Sequence, residues 1–163
     1  FLGDPGVGKT CILYELFSTT FKTRYIPTYG VEFAPVIIKL DSGKTVDIQI
    51  CDAGGGESSR AMVLSLLKTC PMAVVVYDVS DRKSFENVEK WIKDIHTLAG
   101  KETLLGILGN KIDLENRAVT TQEGEELAKK HNAVFAEVCS KTCTDLEAFI
   151  KNVGSTLLDH HIS

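Results

Sequence analysis

The chain has 163 residues, 44% of them hydrophobic and 25% charged, with a formal net charge of −4. That is enough for one compact domain with its own core, and it offers no basic face to favour nucleic acid. Five cysteines, at 11, 51, 70, 139 and 143, are odd in number and irregular in spacing, which argues against a disulfide framework and for reduced thiols in a cytoplasmic protein. Cys139 and Cys143 lack the second pair that a zinc site needs, and no apolar run reaches the roughly 18 residues that span a bilayer.

Strand and helix patterns alternate along the chain. Phe1-Leu2 runs straight into a glycine-rich loop, so the start of a first strand, and a tail at the other end, are expected to lie outside this sequence. Ile12, Leu13, Leu16 and Phe17 follow the helical period. Residues 34–40 and 45–51 read as two strands around an Asp41-Ser42-Gly43-Lys44 turn, with Val46, Ile48 and Ile50 on one face. Met72 to Val79 and Leu104 to Leu108 are apolar runs suited to strands buried on both faces. Between them, Phe85, Val88, Ile92 and Ile95 stripe a helix. Thr120 and Glu123 have capping-box spacing ahead of a helix reaching about Lys130. Ala133 to Val138 is a last strand. Thr144 and Glu147 repeat the capping spacing, and Leu146, Phe149, Ile150, Val153 and Leu157 stripe a final helix. Strands separated by helices require crossovers, hence a mostly parallel sheet covered on both faces, with the 41–44 hairpin adding one antiparallel edge strand.

Two motifs carry chemistry. Gly3-Asp4-Pro5-Gly6-Val7-Gly8-Lys9-Thr10 matches G-x-x-x-x-G-K-[ST]. Glycines let successive backbone N–H groups of Pro5 to Cys11 turn toward phosphate oxygens, proline itself supplying none. The helix starting near Lys9 aims its positive end at the same anion. The Lys9 ammonium bridges terminal phosphates, and the Thr10 hydroxyl suits magnesium. The motif specifies a nucleoside triphosphate without naming the base. Asn110-Lys111-Ile112-Asp113 follows the 104–108 strand, at the carboxyl end where open parallel sheets bind ligands. A carboxylate there accepts from guanine N1–H and the 2-amino group, and adenine offers neither donor. Such a site discriminates strongly, because the wrong partner leaves a buried group unpaired. Asp113 is therefore the candidate for base choice.

Together these motifs resemble the Ras superfamily of small GTPases across essentially the whole chain. The resemblance implies a single P-loop G domain over residues 1–163, with a six-stranded, mostly parallel sheet, binding GTP or GDP with Mg²⁺. It also assigns further residues. Tyr25-Ile26-Pro27-Thr28 looks like the first switch, with Thr28 on magnesium and the terminal phosphate, and Phe21 sits where the family packs an aromatic against guanine. Asp52 matches the acidic residue that holds magnesium through water, and Gly55 the glycine whose N–H senses the terminal phosphate. Glu137-Val138-Cys139-Ser140-Lys141 resembles E-T-S-A-K, so that Lys141 covers the base and the Ser140 N–H approaches its carbonyl.

Within the superfamily the Rab proteins fit best. Gly30-Val31-Glu32-Phe33 is similar to G-V-D-F, Asp47-Ile48-Gln49-Ile50 to K-L-Q-I, and Val75-Val76-Tyr77-Asp78-Val79-Ser80 is Rab-like too. The resemblance implies a switch in vesicle traffic that meets effector, exchange-factor and GTPase-activating proteins through residues 25–33 and 53–70. It would sit peripherally on endomembranes through a prenylated tail that this sequence does not contain. Three departures stand out. Cys51 replaces a tryptophan, Leu66-Leu67-Lys68-Thr69-Cys70 replaces Y-Y-R-G-A, and Asp52-Ala53-Gly54-Gly55-Gly56-Glu57 replaces D-T-A-G-Q-E. Gly56 has no side chain to orient the attacking water, so no residue is assigned as the catalytic water-positioner, Lys9 and Thr28 only assisting, and hydrolysis is expected to be weak. Pro5 places a rigid ring near the space a partner's arginine would enter. The alternative is a scaffold that holds guanine nucleotide without productive cycling, and it differs from a switch in showing the same switch mobility with GDP and a GTP analogue. An ATP-using enzyme is disfavoured by Asp113.

Overall fold

A computed structural model describes residues 1–20, 31–53, 57–139 and 143–162. Helix α1 spans Lys9–Glu15 and passes into a π turn over Leu16–Thr20. Strands β1 (Val31–Lys39) and β2 (Thr45–Ala53) pair antiparallel around the expected turn. The turn closes with the Leu40 N–H on the Lys44 carbonyl and the Gly43 N–H on the Leu40 carbonyl. Helix α2 (Glu57–Leu67), strand β3 (Met72–Asp78), helix α3 (Arg82–Ala99) and strand β4 (Leu104–Asn110) follow. Helix α4 (Thr121–Lys130), strand β5 (Val134–Glu137) and helix α5 (Cys143–Ile162) complete the order.

The six-stranded sheet expected from the family pattern is not what the described residues form. They make a two-stranded sheet, β1-β2, and a three-stranded parallel sheet, β3-β4-β5. Phe1 and Leu2 lie between the two. The Leu2 N–H donates to the Val74 carbonyl at 2.7 Å and its carbonyl accepts from Val76 at 2.8 Å, while the Phe1 main-chain nitrogen donates to the Cys51 carbonyl at 2.8 Å. Among the described residues the place of a sixth strand is held by a single parallel bridge, Leu2 to Val75.

The alternation along β3 shows how helices cover both faces. Val74 and Val76 join Leu108, Ile38 and Ile50 in a core closed by Ile12 and Leu13 of α1 and by Leu146, Phe149 and Ile150 of α5. Ala73, Val75 and Tyr77 point the other way, onto Val63 and Leu67 of α2, Val88, Ile92 and Ile95 of α3, and Ala128 of α4. Strands buried on both sides read as unbroken apolar runs for this reason. Among the described residues no helix is long and apolar enough to cross a membrane.

Helix ends follow local chemistry. The Thr120 hydroxyl accepts from the Glu123 N–H, and the Glu123 carboxylate accepts from the Thr120 N–H, a complete capping box. The Arg82 guanidinium and the Thr120 N–H pull the Glu123 carboxyl down to about 2. The second expected box is different: α5 begins at Cys143, which puts Thr144 inside the first turn rather than ahead of it. Helix α2 is the element that the apolar pattern does not announce. Among its described side chains it buries only Val63 and Leu67, one turn apart, and leaves Met62 exposed.

Gly124 sits inside α4, where alanine is ordinarily better by about 1 kcal/mol. Here a Cβ would come within 2.6 Å of both the Phe135 ring and the Tyr77 hydroxyl. Gly124→Ala is accordingly expected to destabilise, by about 1–3 kcal/mol of overpacking. Urea unfolding of the two proteins checks the sign, and a more stable variant would contradict this packing.

Candidate functional site

The loop ahead of α1 is built on glycine. Gly3, Gly6 and Gly8 hold φ of 147°, 79° and 96°, a region in which other residues are strained. At two of them space makes the same demand. A Cβ on Gly3 would collide with the Val76 carbonyl oxygen, and one on Gly8 with Asn110 Nδ2. Gly8 stands at the start of α1 with no side-chain cap, so the first amides of that helix face the loop.

Lys9 is 6% exposed, and its Nζ donates to the carbonyls of Gly3 at 2.8 Å and Asp4 at 2.9 Å. Two of the three ammonium donors therefore hold the arm across its own loop. Burial pushes the Lys9 pKa below its ordinary value, and Asp52 and Asp4 oppose that push. Beneath the loop, Thr10 Oγ1 donates to Asp52 Oδ2 at 3.1 Å, with Asp52 buried near the end of β2. Pro5 and Cys11 are exposed at either side.

The second motif sits at the carboxyl end of β4 and reaches back to the first. Asn110 is 3% exposed, and its Nδ2 donates to the Val7 carbonyl at 2.9 Å. Its Oδ1 is buried with no partner among the described residues, the kind of open polar group that sites rather than cores retain. Lys111 takes a left-handed φ of 67°. Its Nζ donates to the Gly6 carbonyl at 2.8 Å and pairs with Asp78 Oδ2 at 2.7 Å. Asp113 is exposed on the same turn.

Several participants were not singled out from the sequence. Asp78 ends β3 and anchors Lys111. Burial pushes its carboxyl up, yet hydrogen bonds from Lys111 and Ser80 outweigh that and hold it below its ordinary 3.8. Its place at the end of a buried strand, next to a motif lysine, was the available signal. Glu137 closes β5 and accepts from Arg117 at 2.8 and 3.0 Å and from the Thr121 hydroxyl at 2.8 Å. That pairing fixes the end of β5, and nothing in local sequence links 117 to 137. Asp4 turns to α3, where Asn87 and Trp91 hold it. An apolar cavity of about 400 Å³ between β2, α2 and α5 lies at the opening end of β3, away from the loop, and takes no part in this constellation.

Phe21, Tyr25, Thr28, Gly55, Gly56, Ser140 and Lys141 lie outside the described residues. What is described brings Lys9, Thr10, Asp52, Asn110 and Lys111 together around one loop, at the end of the sheet where strands β3 and β4 finish. Comparison with known families matches residues 1–159 to the Ras family. The chain belongs to the Ras family. Its fold is the α/β G domain of that family, and its broad function is that of a guanine-nucleotide-binding switch among GTPases.

For this Ras-family loop the anchoring carboxylate makes a sharp expectation. Asp78→Asn replaces a charged partner of Lys111, a bond worth about 1.5–3 kcal/mol, and is expected to destabilise the fold at neutral pH. A carboxylate held below its unfolded value stabilises fully above that value and loses the contribution as pH falls through the lowered one. The stability gap between parent and variant is therefore expected in full at pH 7, declining once pH falls below about 3.8 and lost only beneath the lowered value. Urea unfolding at pH 7 and beneath that value checks it, and an equal gap at both would contradict it.

Proposed function

We propose that this Ras-family chain is a Rab-like switch in membrane traffic, one G domain over residues 1–163, which binds GTP and GDP with magnesium and hydrolyses GTP slowly. The observation that carries the reading is the joint between its two motifs. The Asn110 amide on Val7 and the Lys111 ammonium on Gly6 fasten the base-reading turn to the phosphate loop. A nucleotide is long enough to need both ends gripped, and two loops held at one spacing select for its length as well as its chemistry.

In this reading the backbone of residues 5–11 receives the phosphates, and Lys9 spends its third donor on them. Asp113 reads guanine, Phe21 and Lys141 close on the two faces of the base, and the Ser140 N–H meets its carbonyl. Tyr25 and Gly55 belong to the two switches over the terminal phosphate. Thr10 and Asp52 offer hard oxygen donors 3.1 Å apart beneath the loop, which fits magnesium, with Thr28 supplied from the first switch. When bound, the ion supplies charge neutralisation between the phosphates.

Slow hydrolysis follows from position 56. Positioning dominates phosphoryl transfer, and glycine leaves the attacking water without an oriented partner. Three glycines in succession also make that loop costly to order. Partner proteins are expected over 25–33 and 53–70. There Phe33 is 51% exposed and Met62 55%, but Cys51 and Leu66 stand where Rab proteins carry aromatics, so the partners differ from those of ordinary Rab proteins. Membrane attachment in this reading requires a lipidated tail beyond the sequence given.

Single-turnover hydrolysis with preloaded GTP tests the assignment. Gly56→Gln is expected to raise the rate by about tenfold or more while leaving GDP affinity unchanged. A parent already as fast as its glutamine variant would overturn the slow-switch reading.

A further inference from the structure

Asp4 is a carboxylate inside a loop built to hold anions. Left pointing inward it would repel any phosphate nearby, and in a partly buried loop that repulsion is several times stronger than in water. Its two oxygens instead face α3, and each meets a neutral donor. Asn87 Nδ2 donates to Asp4 Oδ2 at 2.6 Å, and Trp91 Nε1 donates to Asp4 Oδ1 at 2.9 Å. Asn87 and Trp91 are four apart, so they rise on one face of α3 beside the buried stripe of Val88, Ile92 and Ile95. Helix α3 is held in turn by that stripe and by the Asp81 cap at its N-terminus. The same Asp4 that α3 grips by its side chain accepts the Lys9 ammonium on its main-chain carbonyl.

We infer that Asn87 and Trp91 are positioning residues of the phosphate loop. They act through Asp4: they turn its charge away from the anion and fix the carbonyl that aims Lys9. The inference rests on the nucleotide-binding reading of this loop and adds α3 to the machinery that sets nucleotide retention. It also makes Trp91, the chain's single tryptophan, an intrinsic reporter. Its indole N–H is bonded into the loop, so its emission should respond when the loop takes up phosphates.

Release of methylanthraniloyl-GDP, chased by excess GDP from purified protein, tests this. Each bond to the charged carboxylate corresponds to roughly tenfold or more in an equilibrium. Trp91→Phe and Asn87→Asp are both expected to speed release about tenfold, with Asn87→Asp the stronger because it sets a second carboxylate against the first. In an Asp4→Ala background, Asn87→Ala should add nothing, since its partner is gone. GDP should shift Trp91 emission in the parent and do so less in Asp4→Ala. Circular dichroism confirms that each variant compared is folded, and Trp91→Phe keeps the ring's packing if the Asn87 variants fail to fold.

Release within twofold of the parent for folded Trp91→Phe and Asn87→Asp would overturn the inference. So would an Asn87→Ala effect undiminished by Asp4→Ala, or Trp91 emission indifferent to GDP in a parent that binds the labelled nucleotide. A parent that retains no labelled GDP fails at the earlier step and removes the nucleotide reading itself.

Discussion

The structure turns on one hydrogen bond between neighbouring loops, the Asn110 amide to the Val7 carbonyl. It crosses the space where a Cβ on Gly8 would stand, so the glycine and the asparagine depend on each other. Beside it Lys111, in a left-handed backbone that few residues tolerate, bonds Gly6 and Asp78 together. The loop ahead of α1 is thus referenced to the ends of β3 and β4, the most deeply buried strands of the described sheet. Rigidity at the site is borrowed from the core. The cost of the arrangement is visible as well, in a left-handed lysine and in a buried Asn110 oxygen without a partner among the described residues.

Charge is distributed with the same logic. Lys9 is buried and Asp52 is buried, with Asp4 half-buried between the loop and α3. Desolvation alone would push the lysine toward neutrality, and the two carboxylates keep the balance from tipping further. A polyphosphate entering such a place meets a cation whose arm is already fixed by two carbonyls, so little side-chain freedom is lost on binding. Preorganisation of this kind places the burden on folding rather than on binding.

Much of this was legible in the sequence because it is local or periodic. The phosphate loop, the start of α1 at Lys9, the Thr120 cap and the stripes of α3 and α5 each express a rule that acts within a few residues. What the sequence did not announce is long-range. Nothing near Asp4 points to Asn87 and Trp91, and nothing near Glu137 points to Arg117, because those bonds exist only once α3 and α4 are docked. Helix α2 has no legible period, since among its described side chains just Val63 and Leu67 are buried. The strand count differs from the family pattern because, among the described residues, the place of a sixth strand is held by the bridge from Leu2 to Val75 alone.

The central claim is that the tied loops grip a guanine nucleotide. Calorimetric titration of the purified protein, with magnesium present, against GDP and separately against ADP tests it most directly. The account predicts that GDP binds at least a hundredfold more tightly than ADP, a modest floor beside the roughly 10⁴–10⁵ that a site built to hydrogen-bond its substrate reaches. Equal affinities, a preference for ADP, or no heat from either nucleotide would contradict it.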